Sequence, residues 1–230
     1  MVKKQPNRQF NLTTPGSLPV RIGTYQRRRM YDRFLTETEI GIEDTILDVG
    51  VAADVAYESS NYLEQWYAHK RAITAVGLDD AAFLEKLYNV RFVRASGLQL
   101  PFRDGAFDVV HSSAVLEHVG SMQNQTAFVQ ECCRVACKWV FLTTPNRWFP
   151  VEFHTVLPLV HWLPKRSFRA LMRATDYDFF AEENNLNLLS RREIRSICAR
   201  VRGFEFRVSS ISLWGWPSNV LLIGRRRLWV

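Results

Sequence analysis

The chain has 230 residues, of which 47% are hydrophobic and 23% are charged. This composition is typical of a globular protein and excludes a disordered, collagen-like or coiled-coil chain. The 30 basic and 23 acidic residues give a net charge of +7, and no apolar run approaches the roughly 20 residues of a membrane span. Because Lys3, Lys4 and Arg8 are not followed by an apolar segment, we expect no secretory signal and a cytoplasmic protein.

The charges are unevenly distributed along the chain. Residues 41–164 carry 9 basic and 14 acidic residues, whereas residues 165–230 carry 13 basic and 6 acidic ones. Basic runs such as 27–29 and 225–227 are usually solvated surface. The alternative is an anionic partner: a lipid headgroup, a phosphorylated substrate or RNA. The tail 225–230 also ends in Leu228, Trp229 and Val230, so peripheral contact with an anionic membrane surface is a second interpretation of this run.

The chain divides into an N-terminal arm with a helix over residues 1–40 and a single domain over residues 41–230. Prolines predict an irregular arm to residue 23, and helix formers predict a helix over 25–39. Within the domain, apolar runs predict strands and polar-apolar patterns predict helices. The predicted strands are 45–49, 73–77, 90–94, 107–111 and 139–143, and the predicted helices are 61–68, 80–88 and 123–136. This alternation indicates βαβ units and a parallel sheet.

A long segment and a hairpin follow the fifth predicted strand. Residues 145–187 carry eight aromatic residues and form a predicted lid, since long insertions at this edge of a sheet often cover a binding site. Ser190 and Glu193 have the spacing of a capping box at the start of a helix that ends at Ala199. The runs 204–213 and 220–224 predict a terminal antiparallel hairpin.

Acidic residues and a glycine follow the first two predicted strands. The first strand leads into Asp48 and Gly50, and the second into Asp79. Ligands of open parallel sheets bind beyond the carboxyl ends of the strands, where a carboxylate accepts hydrogen bonds from a ribose diol. The alternative for Asp79 is a cap on the helix predicted over 80–88.

Residues 94–119 carry three connected motifs. These are Leu100-Pro101-Phe102, then Phe107-Asp108-Val109-Val110, then Leu116-Glu117-His118-Val119. With them the chain resembles the class I S-adenosylmethionine-dependent methyltransferases, in particular the small-molecule branch of the ubiquinone/menaquinone type. The resemblance extends over residues 42–144. It implies an α/β, Rossmann-like, doubly wound and mostly parallel sheet of about seven strands, with the terminal hairpin and the lid after the fifth strand.

The resemblance also implies S-adenosylmethionine as cofactor and assigns residues to its parts. Asp48 and Gly50 face the methionine part, Asp79 the ribose, Ser96, Gly97 and Leu98 the adenine, and His111 and Ser112 the back of the site. The alternative for His111 is a structural, hydrogen-bonded histidine. Glu117 and His118 are interpreted as residues of a helix surface or of packing, rather than catalytic ones.

Two positions depart from the family pattern. The first glycine loop is degenerate, because Ala52 and Asp54 stand where the family has its second and third glycines. An alanine fits there without strain when its φ angle is negative. At the adenine position, Ser96-Gly97 replaces the usual Asp-Ala, and a hydroxyl bonds the exocyclic amine more weakly than a carboxylate does.

The acceptor side needs little chemistry beyond alignment. Methyl transfer is an in-line displacement that an enzyme assists by orientation and a dry pocket, and a base is required only when the acceptor must lose a proton. His154 and Glu152 are two residues apart, and we predict that they act as a base and its orienting partner. The alternative is a buried structural histidine. The aromatic lid fits an apolar or lipid-tailed acceptor, or else forms an ordinary core.

We therefore expect a methyltransferase acting on a small-molecule or lipid-like acceptor. The four cysteines have no zinc-binding spacing, so we predict no metal site. No specific nucleic acid is expected, because residues 111–114 lack the Asn-Pro-Pro-aromatic run of nucleic-acid methyltransferases. The alternatives are an RNA methyltransferase and a non-catalytic protein that keeps the fold. The sequence predicts no oligomeric state.

Overall fold

The computed structural model describes residues 12–57 and 59–227. The predicted membrane contact of the tail involves Leu228, Trp229 and Val230, which lie outside the described residues. No helix in the described part of the chain is long and apolar enough to cross a bilayer.

Seven strands form one sheet. They are β1 (Ile46–Val49), β2 (Ile73–Gly77), β3 (Arg91–Arg94), β4 (Phe107–Ser113), β5 (Ala136–Pro145), β6 (Phe204–Leu213) and β7 (Trp216–Arg226). The strand order is β3-β2-β1-β4-β5-β7-β6. The pairs among β1 to β5 are parallel, and β7 runs antiparallel to both β5 and β6. The predicted fold class, with its terminal antiparallel hairpin, is confirmed.

Six α-helices accompany the sheet in the described residues. They are α1 (Leu18–Thr38), α2 (Tyr62–Trp66), α3 (Phe83–Tyr88), α4 (Met122–Val135), α5 (Lys165–Arg173) and α6 (Arg191–Cys198). The prediction of an irregular arm to residue 23 is wrong from Leu18 onwards, because Pro19 stands in the first turn of α1, where its missing N–H costs nothing. The capping box of α6 is confirmed, since the Ser190 Oγ and the Glu193 carboxylate each accept the other's backbone N–H.

Apolar side chains cover both faces of the sheet, as expected for parallel strands. Val140 packs into one core with Phe128 of α4, and its neighbour Phe141 packs into the other with Phe34 of α1. The segment between β5 and α6 builds a third, smaller cluster around Phe168, Met172 and Phe180. This cluster lies beside the chain that leaves the carboxyl end of β5, where Asn146 bridges to Leu189.

Candidate functional site

A cavity of about 730 Å³ lies at the carboxyl ends of the parallel strands. Its walls come from α1, β1, β2, β4, the loop after β3 and the insert after β5. Its volume is in the range of small-molecule and cofactor sites. Eight predicted site residues line it: Asp48, Gly50, Asp79, Ser96, Gly97, Leu98, His111 and His154.

Two predicted site residues are buried behind this wall and do not line the cavity. The Ser112 Oγ donates to the Val49 carbonyl at 2.6 Å, so it braces β4 against β1. Glu152 accepts the Nδ1–H of His154 at 2.6 Å. Both side chains therefore position wall residues instead of facing a ligand.

The first glycine loop is held by close backbone packing. Gly50 has a φ angle of +100°, and an added Cβ would lie 2.1 Å from the Val115 Cγ2. No side chain fits there. Ala52 is not among the residues with a positive φ angle, so its methyl group introduces no strain. Asn61 holds the loop instead: its side chain accepts the Ala52 N–H at 2.7 Å and donates to the Ala52 carbonyl at 3.0 Å.

An exposed aspartate, Asp79, follows β2, and a glycine in a crowded position, Gly97, follows β3. Asp80 caps the following turn by accepting the Ala82 N–H at 3.0 Å, whereas Asp79 makes no hydrogen bond to another described side chain or backbone group and lines the cavity. At Gly97 an added Cβ would lie 2.5 Å from the Phe128 ring. The loop after β3 therefore packs against α4 only because position 97 has no side chain.

A buried polar chain lies beneath the floor of the cavity. Register places Asp48 of β1 beside His111 of β4, and the His111 Nδ1–H donates to the Asp48 carboxylate at 2.7 Å. The Tyr62 hydroxyl donates to His111 Nε2 at 2.8 Å. Burial lowers the pKa of His111 to about 4, so the ring is neutral, and burial raises the pKa of Asp48 to about 7.

Glu64 of α2 completes this buried chain. It is fully buried beside Asp48, and its carboxyl group in the protonated form donates a hydrogen bond to the Asp48 carboxylate. Burial, and then the proximity of Asp48, raise the pKa of Glu64 well above its ordinary value. Glu64 is therefore a neutral acid, and Asp48 is the group of this pair that carries a charge near pH 7.

A second chain of polar groups lines the insert side of the cavity. His154 Nε2 lies 3.1 Å from His118 Nε2, and His118 Nδ1 donates to the Asn185 carbonyl at 2.7 Å. Burial opposes the charged form of His154, but the Glu152 carboxylate outweighs burial and raises the pKa of that imidazole. Burial and then the His154 charge lower the pKa of His118 to about 3. The proton between the two rings therefore belongs to His154.

Glu117 adds a carboxylate to these two imidazoles. One ligand atom from each of Glu117, His118 and His154 lies within 4.8 Å of the others, and the Glu117 Oε1 has no hydrogen-bond partner among the described residues. Two imidazoles and a carboxylate are a known ligand set for divalent metals. The prediction of no metal site was based on the spacing of the cysteines and stays a prediction. A metal ion would have to displace the proton that the two rings share.

Arg27 is a cavity residue that the sequence analysis assigned to solvated surface. Its guanidinium lines the cavity and donates to the Ser59 Oγ at 3.0 Å, and it forms no ion pair with any acidic residue that the structure describes. Burial lowers its pKa. The helical spacing of Gly23, Arg27 and Met30, all three of which line the cavity, is the signal that could have revealed this face.

Part of the chain is similar to a known protein family. Residues 47–139 match a protein family described as a methyltransferase domain. The search of curated proteins found no match. The match therefore covers β1 to the start of β5, which includes the strands that form the floor of the cavity.

Solved structures share the whole fold at low sequence identity. A magnesium protoporphyrin IX methyltransferase from Synechocystis with bound S-adenosylhomocysteine is 15% identical, with a TM-score of 0.59 over 91% of this chain and 86% of that chain. An S-adenosylmethionine-dependent methyltransferase from Methanosarcina mazei is 16% identical, with a TM-score of 0.54 over 82% and 95%. The N-methyltransferase NodS from Bradyrhizobium japonicum is 12% identical, with a TM-score of 0.54 over 88% and 97%.

The bare backbone at Gly50 and Gly97 and the exposed carboxylate of Asp79 fit an adenosyl cofactor, which requires close backbone approach and a ribose acceptor. Residues 47–139 therefore match a methyltransferase domain, and the chain shares its fold with solved S-adenosylmethionine-dependent methyltransferases.

Proposed function

We propose that this protein transfers a methyl group from S-adenosylmethionine to a small-molecule or lipid-like acceptor. One observation carries the proposal: a single cavity joins Asp48 and Asp79 at the strand ends to Phe153 and His154 of the insert. Donor and acceptor can therefore meet without crossing solvent. The bound cofactor supplies the electrophilic methyl carbon, and the chain supplies alignment and a dry environment.

The strand ends are the proposed donor side. Asp79 accepts hydrogen bonds from the ribose, and Ser96, Gly97 and Leu98 contact the adenine. Asp48 in its ionised form attracts the positively charged methionine part, and His111 and Ser112 hold the wall behind it. Arg27, which has no carboxylate partner among the described residues, binds the cofactor's carboxylate from α1. This role is supported by the position of Arg27 in the wall of the same cavity that Asp48 lines.

The insert is the proposed acceptor side. Phe153 lines the cavity and stacks on Phe149 with ring centroids 5.2 Å apart, so the wall there is apolar. Glu152 orients His154, and His154 removes a proton from the acceptor in the fraction of molecules in which its ring is neutral. An apolar surface at Phe153 beside the polar group His154 suits an acceptor with a hydrophobic body and a polar reacting atom.

The structural neighbours support a small acceptor without specifying it. Two of them are named for magnesium protoporphyrin IX and for N-methyl transfer, and both share the fold of this chain over most of its length. The proposal takes from them only the size class of the acceptor. A cytoplasmic location stays a prediction.

Calorimetry and isotope transfer test the proposal in two steps. We expect S-adenosylmethionine and S-adenosylhomocysteine to bind with micromolar affinity, the lower end of the usual range for enzyme substrates. Failure to bind at millimolar concentration would instead support a non-catalytic protein. Tritiated cofactor is then offered with long-chain phenols, amines and acids, and separately with total RNA. Label in RNA alone would establish the RNA methyltransferase alternative.

A further inference from the structure

The insert and the terminal hairpin present three exposed indole rings, those of Trp148, Trp214 and Trp216, together with the half-buried ring of Trp162. We define the tryptophan patch as Trp148, Leu159, Trp162, Leu163, Trp214 and Trp216. Trp162 connects Trp148 and Trp216, with ring centroids 6.2 Å and 6.1 Å away. The Trp216 Nε1–H donates to the Trp148 carbonyl at 2.9 Å. The hairpin and the insert therefore form one continuous surface.

Two members of the patch are exposed at the cost of backbone strain. Trp214 is 87% exposed with a φ angle of +50°, and Leu159 is exposed with a φ angle of +60°. Bulky residues rarely adopt this left-handed conformation. Neither side chain regains that free energy by burial within the chain. Strain of this kind is concentrated at functional positions, and here it points apolar side chains at solvent.

Cations border the patch. The Arg147 guanidinium lies over the Trp148 ring, 5.2 Å from its centroid, and donates to the Leu163 carbonyl at 2.9 Å. Arg166 is exposed near the start of α5, three residues after Leu163. Neither arginine forms an ion pair with any acidic side chain that the structure describes. Indole rings together with arginines are characteristic of surfaces that lie in the headgroup region of a bilayer.

We propose that the tryptophan patch binds the surface of a bilayer that contains anionic lipids. Trp214 and Leu159 enter the boundary between headgroups and acyl chains, while Arg147 and Arg166 contact lipid phosphates. A second copy of the chain is a poorer occupant, because a twofold contact through this patch would bring the two sets of arginines together. The anionic bilayer matches both the apolar and the charged part of the surface.

The patch is continuous with the acceptor side of the cavity. Trp162 donates from Nε1 to the Phe149 carbonyl at 3.4 Å, and Phe149 stacks on the cavity residue Phe153. A lipid-tailed acceptor held at the bilayer surface would thus lie close to the acceptor side of the cavity. This consequence depends on the proposed function, whereas bilayer binding itself does not.

Vesicle sedimentation without cofactor tests the proposal. The vesicles contain either phosphatidylcholine alone or phosphatidylcholine with about 30% of the anionic lipid phosphatidylglycerol. Each arginine near an anionic surface contributes about 1 kcal/mol to binding. We expect stronger binding to the anionic vesicles and weaker binding in high salt. Trp214→Asn should weaken binding about tenfold, since an interfacial aromatic side chain contributes on that order. Asn tolerates the left-handed conformation, so the fold of this variant is retained.

Matched variants separate the contributions. Leu159→Asn should act like Trp214→Asn, and Arg147→Gln with Arg166→Gln should remove only the preference for anionic lipid. Ile42→Asn is the control. Ile42 is 64% exposed in the turn that precedes β1, and it therefore lies at the amino-terminal ends of the parallel strands, away from the patch. Unchanged binding of Trp214→Asn, or no binding to either vesicle, would overturn the proposal. So would a concentration-dependent dimer that Trp214→Asn abolishes while vesicles bind nothing.

Discussion

Asn61 holds Ala52 from both sides of its backbone. The Asn61 side chain accepts the Ala52 N–H at 2.7 Å and donates to the Ala52 carbonyl at 3.0 Å. The loop after β1 is therefore shaped by an amide side chain nine residues further along the chain, and not by the glycines of the family pattern. This contact explains how a loop with one glycine in place of three keeps an open cavity above it.

Replacing Asn61 tests this arrangement. Asn61 has a positive φ angle, so Asn61→Gly removes both hydrogen bonds without adding strain. We expect a loss of about 1–3 kcal/mol in urea unfolding, and weaker cofactor binding, because two hydrogen bonds at about 0.5–1.5 kcal/mol each are lost. The control is Ala52→Gly, which should not improve cofactor affinity. A gain of affinity in Ala52→Gly would show that the methyl group obstructs the cofactor.

Gly50 is the position in this loop where a side chain is excluded. Gly50→Ala should cost at least about 1–3 kcal/mol, from its φ angle of +100° and from the contact with Val115. A double-mutant cycle with Val115→Ala, measured by urea unfolding, separates the two causes. Partial recovery in the double variant is the expected result. Full additivity would mean that the contact with Val115 contributes nothing.

Neighbouring aspartates at the end of β2 have different roles. Asp79→Ala should weaken binding of S-adenosylmethionine by at least about tenfold, since hydrogen bonds to a charged group contribute about 1.5–3 kcal/mol. Asp80→Ala is the matched control: it removes the cap on the Ala82 N–H and should lower stability while leaving affinity unchanged. Titration calorimetry measures the affinity of both variants, and urea unfolding measures their stability. Equal affinities of Asp79→Ala and the unsubstituted protein would contradict the assignment of the ribose.

Asp48 should make cofactor affinity depend on pH. Because burial raises the pKa of Asp48 to about 7, its carboxylate gains a proton as the pH falls below that value. Attraction for the positively charged cofactor is then lost, and the dissociation constant should rise up to about tenfold for each pH unit below 7.

Two variants at the buried carboxyls isolate this effect. Asp48→Asn should make the affinity weak and independent of pH, while its side-chain oxygen still accepts from His111. Glu64→Gln replaces a neutral acid with a neutral amide and should leave the pH dependence in place. Calorimetry between pH 5 and pH 8 spans about two units below and one above the expected midpoint. A flat profile for the unsubstituted protein would contradict an ionising Asp48.

The role of His154 can be read from the pH dependence of the rate. The Glu152 charge outweighs burial and raises the pKa of His154 above its ordinary value of 6.5, so the neutral, basic form increases as the pH rises through that higher pKa. Activity should therefore increase towards alkaline pH. The charge of His154 and its hydrogen bonds outweigh burial and lower the pKa of Glu152 to about 2, so Glu152 stays ionised throughout.

Substitutions distinguish a base from a structural histidine. Glu152→Gln should shift the increase in rate to lower pH, because the charge that raises the pKa of His154 is gone. His154→Ala should lower kcat about a hundredfold or more with cofactor affinity retained, the usual contribution of a general base. His69→Ala, at an exposed ring, is the control. An unaltered rate in His154→Ala would remove the base from the mechanism.

Local pattern was sufficient to predict the parallel strands and to place several residues at the cavity formed by their carboxyl ends. Apolar runs at 45–49 and 73–77 predicted buried parallel strands, because strands covered on both faces have nearly continuous apolar sequences. The carboxyl ends of neighbouring parallel strands share one edge, so Asp48, Gly50 and Asp79 were expected together. The capping box at Ser190 was read from spacing alone, since its bonds join residues within one helical turn.

Long-range packing decided the rest of the site. His118 and His154 are 36 positions apart, and only the folding of the insert against the loop after β4 brings their rings together. Arg27 lines the cavity because α1 begins at Leu18 and packs on the sheet. The run of three arginines at 27–29 does not by itself indicate which of them faces the cavity. The sequence by itself thus determined the strands and which residues lie at their carboxyl ends, beside the cavity. Tertiary structure decided which of several similar polar residues face the cavity, because that depends on contacts between segments that are distant in sequence.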